Sequence, residues 1–335
     1  MMILFVSVLI ASLVMAALPG VLYLAVLRWM GLERRQARFL LMSALAWGSA
    51  GGVALALLWT TFLELPFDQS DRLWVQAAFL APLAEELAKA VYFVLLIRWR
   101  RIDTSLLGLM YGLAVGLGFA ITENFAYFLR AYVNGGESAW VGAILARTFF
   151  SVAVHATATG LWGAAVGRSR SAENKWARLL LPYVGFAAAL VVHIAWNLSL
   201  TIFQVSGAEL PLAIGAGAVF VSITLTVLVS WFAIRDERLM ITRELGLEAE
   251  RGTLPEEHVV ILASPLARLR EAWLQEGIDR REYKRTAMML ALRLRQYRSA
   301  KGAERGELER RVTELRKEMQ ASFPTRSSFP DLSSS

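Results

Sequence analysis

Four successive apolar stretches of the sequence each carry ionisable or amide side chains, in this order: Glu85, Glu86 and Lys89; Glu123 and Asn124; Arg147 and His155; His193 and Asn197. An ionisable group at bilayer depth costs about 2.5–3.5 kcal/mol on insertion scales, so such groups usually face a bundle interior or a cavity. Two of the three histidines belong to this set. The pattern indicates one polar site inside a bundle of apolar helices.

The absence of Cys limits the chemistry that these groups can perform. Without a thiol, the nucleophile is water, a carboxylate or a hydroxyl, and no G-x-S-x-G elbow stands out. Water activated by Glu, with His and Asn stabilising an oxyanion, is consistent with amide hydrolysis. Two His and one Glu also match the ligands of a catalytic zinc with an open fourth position. The spacing H-E-x-x-H is absent, so a zinc site would draw on three or four helices.

Helical spacing predicts how these side chains are arranged. Glu85 and Lys89 are four residues apart and can form an ion pair, while Glu86 is turned about 100° away. His193 and Asn197 are also four residues apart and share a helix face. At a rise of 1.5 Å per residue, the two histidines, Glu85 and Glu123 lie about 12–22 Å from the outer ends of their helices. All four residues can therefore occupy one layer near the midplane.

The composition indicates that membrane-spanning helices carry the site residues. Hydrophobic residues make up 56% of the 335 residues and charged residues 19%, whereas soluble domains are about 25% charged. Residues 1–234 hold 26 charged residues, and residues 235–335 hold 37. Spanning helices need about 20 mostly apolar residues. Seven such runs lie near 2–28, 39–64, 75–99, 105–131, 140–167, 179–204 and 211–234.

These runs predict an all-α polytopic membrane protein with about seven transmembrane helices. The first, third and fifth loops contain eleven Lys and Arg residues, and the even-numbered loops contain two. The positive-inside rule then places the N-terminus outside and the C-terminal region in the cytoplasm. Most of the net charge of +7 reflects this topology, so no nucleic-acid partner is predicted.

The charged region 235–320 is predicted to be a cytoplasmic set of amphipathic helices. Leu308, Val312, Leu315 and Met319 alternate at spacings of four and three, which is typical of a helical hairpin or a self-association helix. His258 is predicted to be solvated. Residues 321–335 are too small and polar to form a core, which predicts a disordered tail.

The alternative from another functional class is a proton- or ion-coupled transporter that relays protons through the same Glu and His side chains. Transporters often contain inverted repeats with broken helices, and no such symmetry is evident. A non-catalytic receptor or scaffold that uses the charged region as an interaction module is a third interpretation.

Over residues 75–204 the chain resembles the PrsW-type intramembrane proteases, which share a superfamily with CAAX prenyl proteases and bacteriocin-processing enzymes. The resemblance is carried by motifs on successive stretches: Glu85-Glu86-x-x-Lys89, Phe119-x-x-x-Glu123-Asn124, His155 with Thr159-Gly160, and His193-x-x-x-Asn197. CAAX-type enzymes have Arg one position after Lys89 and His at the position of Glu123. These differences favour the PrsW branch over a protease of prenylated proteins.

The resemblance implies cleavage of peptide bonds in membrane-anchored proteins, such as single-span regulators of the anti-sigma-factor kind, in a bacterial cytoplasmic membrane. It implies that Glu85 or Glu86 activates water with help from His155, and that His193 and Asn197 stabilise the oxyanion or bind metal. If one zinc ion takes part, its expected ligands are Glu86, His155 and His193. Supporting roles are expected for Lys89, Glu123, Asn124 and Arg147.

Overall fold

A computed structural model describes most of the chain as helix. The described residues are 2–29, 35–64, 74–99, 101–102, 104–170, 172, 174–264, 267, 278–300 and 302–322. Every regular element in these ranges is helical, which confirms the all-α prediction. The disordered tail predicted for 321–335 lies almost entirely outside them.

The helices follow one another with three wider π-helical segments among the described residues. The α-helices are α1 (Met2–Trp29), α2 (Arg35–Ala46), α3 (Val53–Glu64), α4 (Ala81–Arg98), α5 (Ser105–Ala146), α6 (Val152–Arg170), α7 (Lys175–Ser206), α8 (Glu209–Glu250), α9 (Glu256–Ala263), α10 (Arg280–Ser299) and α11 (Ala303–Ala321). The π segments are π1 (Trp47–Gly52), π2 (Gln76–Leu80) and π3 (Arg147–Ser151).

The chain divides into two compact units. The first comprises Met1–Leu27 and Gln36–Ala233, and the second comprises Arg28–Arg35 and Ile234–Ser335. The first unit contains the apolar helices and every residue singled out above for chemistry. The second contains the whole of the charged C-terminal region, 235–335.

Five helical segments among the described residues are long and apolar enough to cross a membrane: Ile3–Tyr23, Arg38–Leu63, Ser105–Arg170, Lys175–Phe203 and Glu209–Glu250. The longest includes two predicted spans, and Gly136, with φ of 71°, interrupts its helical geometry between them. The predicted span at 75–99 corresponds to π2 and α4, whose acids and Lys89 lower its hydropathy. The protein is thus an integral membrane protein, and seven spans remain a prediction.

A seam of small residues brings α5 and α6 into close contact. Gly108, Gly112 and Gly116 lie one helical turn apart on α5, opposite residues 155–167 of α6. A Cβ atom added to Gly112 would overlap the backbone carbonyl of Thr159, and one added to Gly116 would overlap that of His155. Such small-residue seams let membrane helices approach closely. This seam sets the distance between the backbones that carry Glu123 and His155.

The second unit has its own apolar core. Tyr283 and Leu290 from α10 and Leu315 from α11 are almost fully buried in it. Val312 and Met319 of the predicted amphipathic seam are also buried there, because α10 and α11 lie side by side as a hairpin. The apolar seam of α11 is therefore covered within its own unit.

The prediction that His258 is solvated is wrong. The side chain is only 4% exposed, and its Nδ1 atom lies 2.8 Å from the hydroxyl of Tyr283. His258 shares a face of α9 with Leu262, four residues later, which is fully buried. The polar composition of the region concealed this inward face.

We predict that replacing Gly112 with Ala destabilises the membrane unit by about 1–3 kcal/mol, because the added methyl group must push α5 and α6 apart. Gly217→Ala is the control, since nothing lies within 4 Å of a Cβ at that helical position. Reversible unfolding in mixed detergent micelles measures both variants. Equal stability of the two proteins would contradict the close-contact role of the seam.

We predict that the second unit loses stability on acidification. Burial lowers the pKa of His258, and the smaller opposing effect of the Glu257 carboxylate does not restore it. The unfolded chain, with a His pKa of about 6.5, then binds more protons than the folded chain as the pH falls below that value. The free energy of unfolding should decrease by at most about 1.4 kcal/mol per pH unit.

Hydrogen-exchange protection of the α10 amides, corrected for intrinsic exchange, measures this dependence between pH 7.5 and 5.5. His258→Asn should flatten the profile. A wild-type profile as flat as that of the variant would exclude His258 as the cause.

Candidate active site

The structure brings together the charged and imidazole side chains that the sequence places in successive spans. We call this set the site cluster, and its members are Glu85, Glu86 and Lys89 on α4, Glu123 on α5, Arg147 on π3, His155 on α6 and His193 on α7. The two histidines, Glu85 and Glu123, which the sequence places at a similar depth, therefore lie close together in the structure.

Glu86 is the most deeply buried acid of the site cluster, with no exposed surface. Its Oε1 atom accepts hydrogen bonds from Lys89 Nζ at 2.7 Å and from His193 Nδ1 at 2.9 Å. Lys89 is equally buried and lies 4.2 Å from the centroid of the Phe119 ring. The predicted pair with Glu85 exists but is longer, at 4.0 Å. Glu86 is thus the closer partner of Lys89.

His155 is held between two charged groups. Its Nε2 atom lies 2.7 Å from Glu123 Oε2, and its Nδ1 atom lies 2.9 Å from Lys89 Nζ. A neutral imidazole that donates from Nε2 to the carboxylate keeps its Nδ1 lone pair free to accept. We therefore assign the proton of His155 to Nε2 and the acceptor role to Nδ1.

His193 has the matching arrangement. Its Nδ1–H donates to Glu86, which leaves the Nε2 lone pair directed at Glu85 Oε2, 3.5 Å away. His155 Nδ1 is 4.0 Å from the same Glu85 oxygen. Both histidines therefore bind a carboxylate through the remote nitrogen. The near nitrogen of His193 faces Glu85, whereas that of His155 accepts from Lys89 Nζ and lies farther from Glu85.

Glu85 Oε2 is buried and accepts no hydrogen bond from any described residue. Ligand atoms from Glu85, His155 and His193 all lie within 4.8 Å of one another. Two imidazole nitrogens and one carboxylate form a ligand set of catalytic zinc, and carboxylates usually orient such histidines from behind. The residues present therefore fit a divalent metal ion once Lys89 Nζ turns away from His155 Nδ1, whose single lone pair it occupies in this structure.

The geometry offers Glu85 as the third ligand, whereas the sequence resemblance pointed to Glu86. One oxygen of Glu86 is already shared by Lys89 and His193. Glu86 Oε2 is buried and likewise has no donor among the described residues. The two adjacent acids thus differ in environment, because their side chains leave α4 about 100° apart.

Arg147 binds the acid of the site cluster on α5 and the amide next to it. Its Nη2 atom lies 2.8 Å from Glu123 Oε2, and its Nε donates to Asn124 Oδ1 at 3.1 Å. It also donates to Ser151 and covers the ring of Tyr127 at 3.7 Å from the centroid. Sequence reasoning missed these last two residues, although Tyr127 follows Glu123 by four residues and Ser151 follows Arg147 by four.

Asn197 is directed differently from the expectation. Its Nδ2 atom donates to the backbone carbonyl of Ala77 in π2 at 3.1 Å. It reaches the segment that precedes α4, while His193 on the same face of α7 reaches Glu86. Asn197 therefore binds the backbone next to the acids.

Comparison with known proteins identifies one family. A family model described as PrsW family intramembrane metalloprotease matches residues 36–232, which is more than half of the chain. This range contains every member of the site cluster. No curated protein and no solved structure matches the chain.

We predict that Lys89→Met lowers the free energy of unfolding of the chelator-treated protein by about 3–5 kcal/mol, because it leaves Glu86 charged and unpaired in the interior. Adding Glu86→Gln to this variant should recover much of the loss. Lys175→Met, at an exposed position, should change the stability by less than about 0.5 kcal/mol. Chemical unfolding measures all three, and a mild effect of Lys89→Met would contradict the ion pair's structural role.

Proposed function

We propose a zinc centre held by Glu85, His155 and His193 for this chain, which belongs to the PrsW family of intramembrane metalloproteases. Membership of that family makes the protein an intramembrane protease, a hydrolase. The observation that carries this proposal is a buried Glu85 oxygen that accepts no hydrogen bond from a described residue and lies 3.5 Å from His193 Nε2 and 4.0 Å from His155 Nδ1. Each imidazole is already oriented by a carboxylate on its other nitrogen.

A zinc ion bound there would lower the pKa of a coordinated water and polarise the scissile carbonyl group. Glu86 holds His193 through Nδ1, and Glu123 holds His155 through Nε2. Lys89 and Arg147 offset the charges of these two acids. The two carboxylates thereby orient both imidazoles through the nitrogens that lie away from Glu85.

We assign proton transfer to Glu86. With Glu85 used as a ligand, Glu86 Oε2 is the remaining buried carboxylate oxygen without a donor among the described residues. In peptide hydrolysis the water oxygen bonds to the carbonyl carbon, the C–N bond breaks, and a water proton reaches the departing amine. Glu86 Oε2 accepts that proton and returns it to the amine nitrogen, as a general base and then a general acid.

The proposed substrate is a membrane-anchored protein, with a single-span regulator of the anti-sigma-factor kind as the preferred class. A membrane-anchored substrate is supported by family membership and by the location of the site cluster on helices of the membrane unit, while the narrower class comes from the sequence resemblance. Glu85 and Glu123 are 12% and 20% exposed, whereas Glu86 has no exposed surface.

We also propose a transmembrane protease domain over 1–234, a cytoplasmic helical region over 235–320 and a polar tail over 321–335. The division between the two units at Ala233 and Ile234 supports the first boundary. Seven apolar runs support seven spans, and the Lys and Arg residues of the odd-numbered loops support an outer N-terminus and a cytoplasmic C-terminus. A bacterial membrane is proposed from the family resemblance alone. Self-association through the C-terminal helices stays a prediction.

We predict that Glu85→Gln and His193→Ala lose both bound zinc and cleavage of a tethered single-span substrate. Losing a ligand should weaken zinc binding by more than the roughly 10–100-fold expected for a second-shell partner. Glu137→Gln is the matched control, because Glu137 is exposed on α5. Metal content and cleavage are measured on the same purified samples, after confirming that each variant is folded.

Chelation completes this test. Wild-type activity should disappear on zinc removal and return on zinc addition. Cleavage that resists complete zinc removal would contradict the metal centre and support metal-free catalysis by glutamate. Ion-coupled flux in proteoliposomes without any proteolysis would contradict the protease function itself.

A further inference from the structure

Pro82 accounts for a backbone irregularity just before the two acids of α4. The π2 segment, Gln76–Leu80, precedes Ala81, whose N–H bonds to the Gln76 carbonyl five residues earlier. In an α-helix the Ala77 carbonyl would accept from Ala81, and in a π-helix it would accept from residue 82. The first donor is already used, and proline has no N–H. Neither regular helical donor is therefore available to Ala77.

Asn197 supplies the missing donor from another helix. Its Nδ2 atom lies 3.1 Å from the Ala77 carbonyl oxygen. Four residues earlier on the same face of α7, His193 donates to Glu86. Helix α7 therefore holds the segment containing Glu85 at two points, one before Glu85 in the chain and one directly after it.

The other two π segments are held in the same way. Thr122 donates to the Ser49 carbonyl in π1 at 2.6 Å, and Asn124 donates to the Arg147 carbonyl in π3 at 3.3 Å. These two donors flank Glu123. Each π segment of the described chain thus binds a side chain that lies one to four residues from a site-cluster acid or imidazole.

We propose that Asn197 is a positioning residue. By holding the Ala77 carbonyl that Pro82 leaves without a helical donor, it keeps Glu85 opposite His193 Nε2. The inference rests on the proposed zinc site and departs from the oxyanion role that the sequence resemblance implied. Without this hydrogen bond, π2 can relax and move Glu85 relative to both imidazoles.

The test is zinc affinity of the full-length protein in nanodiscs, measured by competition with a chelator. Asn197→Asp has the same shape but, when ionised, cannot donate to Ala77. We expect about a 10–100-fold loss of zinc affinity together with lower kcat, as for other outer-shell partners. Asn174→Asp is the control on the same helix, because that side chain is a hydrogen-bond acceptor at the N-cap of α7. Unchanged zinc affinity with reduced kcat would overturn the positioning role and favour an oxyanion donor.

Pro82→Ala provides the second arm. The restored N–H at residue 82 can donate to the Ala77 carbonyl in the π-helical pattern. Asn197→Asp should then alter zinc affinity by no more than about threefold. Additive effects of the two changes would contradict the link between them.

A structural readout separates this inference from the proposed function. The chain has no Cys, so spin labels can be attached at Leu87→Cys and Val191→Cys, two exposed positions on α4 and α7. Asn197→Asp should shift or broaden the distance distribution between the labels, and should have no further effect when Pro82 is Ala. If wild-type protein binds no zinc, the metal site fails while this distance still decides the positioning role. An unchanged distribution in Asn197→Asp would overturn it.

Discussion

Glu86 has no exposed surface, and a carboxylate in that position must obtain its counter-charge and hydrogen bonds from the protein interior. Lys89 and His193 supply them. Lys89 in turn contacts His155, which binds Glu123, and Glu123 binds Arg147. One buried acid thus begins a chain of polar contacts that joins α4, α5, π3, α6 and α7. The removal of any member leaves its neighbour with an unmatched charge or donor.

This chain of contacts also fixes the chemistry of the two imidazoles. Each has one nitrogen engaged by a carboxylate; the other nitrogen of His193 faces Glu85, and that of His155 lies between Lys89 and Glu85. The glycine seam keeps α5 and α6 close enough for Glu123 to reach His155. Side chains next to the site donate hydrogen bonds to carbonyls of the three π segments. Packing and catalysis therefore depend on the same few side chains.

Much of the architecture could be predicted from the sequence. Apolar runs predicted helices, and the rise per residue placed Glu85, Glu123, His155 and His193 in one layer. The partner of Lys89 was harder, because residues three and four positions away on a helix are equally near. The destination of Asn197 depended on a tertiary contact, although Pro82 marked the irregular segment that it reaches. His258 was misjudged because one inward face of a short helix carries little signal among many charges.

Zinc binding by Glu85, His155 and His193 is tested most directly by the X-ray absorption spectrum of the zinc-loaded full-length protein. We expect two imidazole nitrogens and carboxylate oxygen at about 2.0–2.2 Å from the metal, with one imidazole lost in His193→Ala. A wild-type spectrum without imidazole scattering, or an identical spectrum from the variant, would contradict this ligand set.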